Sequence, residues 1–141
     1  MKFITAMAIL FAVLLSTTTA DARYHRHHHY YHRSYHSYAN AGEVVAHPSG
    51  CSHRQFCGCG VSVKVFGKPI RSLFLARAWY RFKRAVASSG MVAIFGNHHV
   101  AYIQSVYGDG TAEVYDPNSG GHQTRVHRRS IVNATIVDPR G

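Results

Sequence analysis

With 141 residues, the chain has room for one domain of ordinary size but not for several. Lys and Arg total 16 against 6 Asp and Glu, a net charge of +10 that favours anionic partners: wall polymers, lipopolysaccharide or nucleic acid. The 3 cysteines cannot all pair within one chain, so at least one thiol stays unpaired unless chains cross-link.

Residues 1–22 read as an export signal. Lys2 gives a positive start, Phe3 to Leu15 is almost wholly apolar, and the stretch from Ser16 to Ala22 supplies small residues at both positions of an Ala-x-Ala cleavage site. The apolar run is shorter than the about 20 residues a bilayer span requires. A secreted or periplasmic protein with no integral membrane anchor after cleavage is therefore expected. Cleavage removes one base (Lys2) and one acid (Asp21), so the charge stays at +10. Export makes an anionic envelope polymer the expected partner rather than nucleic acid. A monomer is expected.

Residues 23–49 read as a disordered spacer. From Arg23 to Tyr38 the chain is almost only Tyr, His, Arg and Ser, with no apolar period to build a core. Its clustered imidazoles could bind Zn, Cu or Ni when neutral, or serve as a solvated basic tail. His47-Pro48-Ser49-Gly50 closes the spacer, and the folded domain is expected over residues 50–141.

Within that domain, Val61, Val63 and Val65 alternate with Ser62 and Lys64, and Gly58 and Gly60 disfavour a helix, so local propensity reads Cys57 to Gly67 as a strand. Leu73 to Val86 reads as an amphipathic helix, with Leu73, Ala76, Trp79, Phe82 and Val86 on one stripe and Ser72 as its N-cap. Met91 to Phe95, His99 to Tyr107 and Thr111 to Asp116 read as strands, the last two joined by a turn at Gly108-Asp109-Gly110. The stretch from Pro117 to Gly121 is expected to break the sheet, and Ile131 to Val137 to add a last strand. Helices followed by an antiparallel sheet make an α+β layout.

Three features carry possible chemistry: Cys57 at the first element, His99 opening a strand, and Asp116 with Asn118 ending the next. The turn between the two strands brings His99 and Asp116 to the same end of the sheet. A thiolate, an imidazole beside it and an oxygen acceptor orienting that imidazole make an activated nucleophile. Cys51, His53, Cys57 and Cys59 also supply four soft ligands compatible with tetrahedral Zn. A Cys51–Cys59 disulfide is the third possibility, and it leaves Cys57 free. The arginines and histidines of residues 122–129 read as a solvated basic loop or as a rim for an anionic substrate.

Phe56-Cys57-Gly58-Cys59, then Leu75-Ala76-Arg77-Ala78-Trp79, then Gly90 to Phe95, then His98-His99-Val100-Ala101-Tyr102-Ile103 resemble, in their order, the CHAP and NlpC/P60 cysteine hydrolases. The resemblance covers roughly residues 54–137. It implies a papain-like fold, with N-terminal helices packed on a small antiparallel sheet, and a helical Cys57–Phe66, which is adopted here over the strand reading. It implies Cys57 as nucleophile, His99 as general base, and Asp116 and Asn118 as the orienting element, with Cys59 a competing thiol. The implied activity is cleavage of amide bonds in peptidoglycan peptides, with no cofactor and no metal. The rival is a non-catalytic envelope-associated or metal-binding protein that binds through its basic His-rich tail.

Overall fold

The computed structural model describes residues 42–141. The expected signal peptide and the His/Tyr/Arg-rich run lie outside the described residues.

Among the described residues seven strands form one antiparallel sheet. In chain order they are β1 (Glu43–Val45), β2 (Lys83–Arg84), β3 (Val92–Phe95), β4 (His99–Val106), β5 (Thr111–Ser119), β6 (Gln123–Ser130) and β7 (Thr135–Asp138). Their spatial order is β1-β6-β5-β4-β3-β7-β2. Among the described residues the helical part is one α-helix, α1 (Cys57–Phe66), and two short 3-10 helices, Arg71–Leu73 and Ala76–Arg81. The class is therefore largely β, and the expected papain-like α+β arrangement of helices on a small sheet is corrected. Among the described residues no helix is long and apolar enough to cross a membrane.

Side chains alternate across the strands, and this divides the core in two. Val92, Ile94 and Val100 join Cys57, Val61, Leu73, Ala76, Trp79 and Val137 in one buried cluster. Ala93, Ala101, Ile103, Ala112 and Val114 turn the other way and meet Ile131. The pairs Ala93↔Ala101 and Ile94↔Val100 keep the two sets in register across β3 and β4.

Helix α1 packs on β4 and β5. Its local sequence favours a strand, but burial from Cys57 to Ser62 decides the outcome. A fully buried Val side chain contributes about 1.5–3 kcal/mol, more than the roughly 1 kcal/mol that one helical Gly costs. The glycines that argue against a helix are what allow it to sit so close. A Cβ on Gly58 would lie 2.3 Å from the carbonyl oxygens of Leu73 and Phe74, and one on Gly60 2.4 Å from Cβ of Pro117. Ser62 ties the helix to the chain that follows, donating to the Cys59 carbonyl at 2.8 Å and accepting from the Ile70 amide at 3.1 Å.

The expected amphipathic helix over Leu73 to Val86 is replaced by the two 3-10 helices and β2. Its buried stripe is retained at Leu73, Ala76 and Trp79. However, the Trp79 indole donates to the Leu73 carbonyl at 2.8 Å, and Leu75 is extended (φ −84°, ψ 134°), which interrupts the helical ladder. Ser72 lies inside the first 3-10 helix instead of capping a longer one. Beyond Phe82 the chain pairs with β7, Lys83 opposite Asp138 and Arg84 opposite Val137.

Three other boundaries move. Glu43–Val45, assigned to the spacer, pairs with Thr124–Val126 of β6, so ordered structure begins before Gly50. β5 continues through Pro117 to Ser119, with an irregularity in its pairing to β6 after Asp116. The expected basic loop is strand β6, and the last strand begins only at Thr135.

Candidate active site

Cys57 is the first residue of α1 and is only 6% exposed. Cys51 and Cys59 form a disulfide with Cα atoms 5.8 Å apart, leaving Cys57 as the free cysteine. The bridge removes Cys59 as a competing nucleophile. It also takes two of the four ligands of the Zn alternative, and among the described residues no group of three or more His, Cys, Asp or Glu could hold a metal ion. Phe56, fully buried, holds the chain just before Cys57 and meets the His47 ring edge-on at 4.5 Å. Gln55 takes a left-handed backbone conformation (φ 45°) as the chain turns into the helix.

His99 opens β4, and Asp116 lies on the neighbouring β5. The register Tyr102↔Tyr115 places Asp116 one diagonal step from His99 on the same face, within side-chain reach. Nε2 of His99 donates to Oδ1 of Asp116. The second carboxylate oxygen, Oδ2, accepts from Nε2 of His127 at 2.9 Å and from the Arg129 guanidinium at 2.6 Å. Asp116 is fully buried, so these three donors replace the water it has lost.

The charges follow from this geometry. Burial pushes the Asp116 carboxyl up, but the hydrogen bonds from His127 and His99, with the charges of His99 and Arg129, hold it well below the usual carboxylate range. Burial pulls His99 down, yet its bonds to Asp116 and Cys57 prevail and raise it to about 9. Burial also pushes the Cys57 thiol up, and here the His99 hydrogen bond and charge, with the backbone amides of Val100 and Gly58, bring the net below its ordinary value. Both net shifts favour the charged forms, a thiolate beside an imidazolium. Because Nε2 of His99 is committed to Asp116, Nδ1 is the nitrogen left to exchange a proton with sulfur.

Asn118, the fourth expected site residue, is not brought to His99. Its Oδ1 accepts from Nδ1 of His122 at 2.9 Å, and it lines the cleft instead. That cleft, about 360 Å³, is lined by the apolar Phe74, Leu75 and Ala76 together with Cys57, Gln55, Asn97, His98 and Asn118. The His98 carbonyl lies 3.9 Å from Cys57 Sγ.

His127 and Arg129 are site residues that the basic-loop reading did not identify. Both belong to β6, where the alternation of Arg125, His127 and Arg129 with Thr124, Val126 and Arg128 was the available signal. Arg129 is held between Asp116 and the ring face of Phe95, 3.9 Å from its centroid. Nδ1 of His127 is buried without a hydrogen-bond partner. No family model, curated protein or solved structure matches this chain.

Proposed function

We propose that the domain is a cysteine hydrolase that cleaves amide bonds in envelope peptides. The observation that carries this reading is a buried free thiol paired with an imidazole whose far nitrogen is fixed on a buried carboxylate. A thiolate held beside an imidazolium is the reactive form needed for acyl transfer.

The chemistry proceeds in two halves. Cys57 Sγ attacks the scissile carbonyl carbon, forming a C–S bond and placing negative charge on oxygen. The unpaired amides of the first turn of α1, and the Gln55 and Asn97 side chains lining the cleft, supply donors for that oxyanion. The C–N bond then breaks as His99 gives its proton to the departing amine, leaving a thioester. His99, now neutral, removes a proton from water. The resulting hydroxide attacks the thioester, the C–S bond breaks, and the thiolate–imidazolium pair returns as His99 keeps that proton. Asp116 keeps the imidazole in one orientation throughout.

Peptidoglycan peptides are proposed as the substrate class on two grounds. One is the resemblance of the Cys57, Trp79 and His98-His99 motifs to CHAP and NlpC/P60 hydrolases; the other is the positive charge of an expected exported chain. The test uses the full chain, with reduced Cys57, incubated with solubilised muropeptides and read by mass spectrometry for new amine and carboxyl ends. Cys57→Ser is expected to abolish release. Cleavage by that variant at the wild-type rate would overturn the proposal and leave the tail-binding alternative.

A further inference from the structure

Between Glu43 and Asp109 the sequence contains no Asp or Glu. The basic residues of the stretch from Arg71 to Arg84 (Arg71, Arg77, Arg81, Lys83 and Arg84) are all exposed. Among the described residues none of these five side chains is ion-paired to a carboxylate, whereas Arg128 and Arg129 are held by Asp109 and Asp116. The same stretch supplies the apolar lining of the cleft at Phe74, Leu75 and Ala76, where Leu75 is 56% exposed. It then runs through the 3-10 helix Ala76–Arg81 to β2, the edge strand of the sheet. A 3-10 helix rises about 2 Å per residue, so Arg77 and Arg81 are separated by about 8 Å along its axis, roughly one Debye length at physiological salt. Charges at that spacing act together on a chain of closely spaced anions and only weakly on a single one.

We propose that the exposed strip from Arg71 to Arg84 is a binding surface for a flexible polymer with repeating carboxylate or phosphodiester groups, laid alongside the cleft that contains Cys57. The inference rests on the hydrolase reading only in naming the polymer as an envelope component. The surface itself needs no catalytic cysteine. It would keep the protein on an anionic matrix while peptides attached to that matrix reach the thiol.

The test measures binding of fluorescently labelled polyphosphate and poly-L-glutamate to the full chain at low and high salt. The strip variant is Arg77→Gln/Lys83→Gln/Arg84→Gln, which spares Arg81 because its guanidinium bonds the Ala78 and Ser72 carbonyls. An equal loss of charge elsewhere, Arg125→Gln/Arg128→Gln/Arg140→Gln, is the control. The strip variant is expected to bind about tenfold more weakly at low salt, with a shallower salt dependence and an unchanged rate of Cys57 alkylation. The control is expected to stay within about twofold of wild type. Stronger binding of polyphosphate names phosphodiester polymers as the source, and stronger binding of poly-L-glutamate names carboxylate-bearing ones. Equal losses in both variants, or no loss in either, would overturn the proposal. So would tighter binding of single-stranded DNA than of either probe, or a strip variant that aggregates yet binds as wild type, which would assign Lys83 and Arg84 to guarding the sheet edge.

Discussion

Nε2 of His127 donates to Oδ2 of Asp116 across 2.9 Å while its own Nδ1 stays buried without a partner. An unsatisfied buried polar atom costs about 1–3 kcal/mol, so the fold carries a penalty at the residue that supports the carboxylate behind His99. Gln can place an amide nitrogen where Nε2 sits, and Leu cannot. His127→Gln is expected to keep most hydrolysis, whereas His127→Leu should lower kcat about tenfold or more with little change in KM. Muropeptide kinetics on the two variants checks this, and equal losses in both would assign His127 to stability alone.

The pair of Cys57 and His99 predicts an asymmetric pH profile. The thiol lies below its ordinary value and His99 at about 9. Hydrolysis should therefore persist to a lower pH than an ordinary thiol allows and fall above about 9, as His99 loses the proton it gives the leaving amine. Iodoacetamide alkylation, which needs only the thiolate, should not fall on the alkaline side. Parallel profiles of the two rates provide the measurement.

Asp116 links stability to acid. Its folded value lies below its ordinary 3.8, so the stabilisation is present above that pH and is lost as the pH falls through the folded value. His99 has the opposite sign: its contribution is present below 6.5 and is lost as the pH rises toward about 9. Asp116→Asn should cost about 3–5 kcal/mol and flatten the acid limb of a denaturant midpoint measured against pH.

Gly58 sits where a Cβ would meet the carbonyl oxygens of Leu73 and Phe74 at 2.3 Å. Gly58→Ala should therefore destabilise the domain by about 1–3 kcal/mol and change the alkylation rate of Cys57, because the helix start that carries it must separate from Leu73 and Phe74. Thermal unfolding and a single alkylation time course test both effects. Unchanged values in both would remove the steric account of this glycine.

The site was more legible in the sequence than the architecture around it. The turn at Gly108-Asp109-Gly110 fixes which strands are neighbours, and that suffices to bring His99 and Asp116 together. The helix at Cys57 was legible only through the resemblance of its motif, because its formation depends on burial against β4 and β5, which no local pattern of Gly and Val encodes. The stripe Leu73, Ala76, Trp79 marked the correct buried face but the wrong helix. A hydrogen bond from an indole to a carbonyl six residues back is a tertiary choice, invisible to periodicity. β6 was hidden by composition, since Arg125, Arg128 and Arg129 resemble a solvated loop until Asp116 and Asp109 give two of them partners.

The bridge between Cys51 and Cys59 closes a short loop, a constraint worth about 2.5 kcal/mol by chain-entropy reasoning. Cys51→Ser/Cys59→Ser should lower the unfolding midpoint accordingly and slow hydrolysis, since Gln55 and Phe56 lie within that loop. A melting curve and a rate at one substrate concentration are enough to decide. A double variant as stable and as fast as wild type would show that the bridge does neither.

Three sulfurs so close in sequence can be joined in three ways, and two of those ways consume the one at position 57. Oxidation that outruns formation of α1 has no means of choosing among them, whereas a formed helix presents Cys59 to Cys51 with Cys57 turned into the core. The order of oxidation and folding thus sets how many molecules keep Cys57 as a free thiol. Material refolded from inclusion bodies under strong oxidant should be a mixture of isomers, two of the three without a free thiol at position 57.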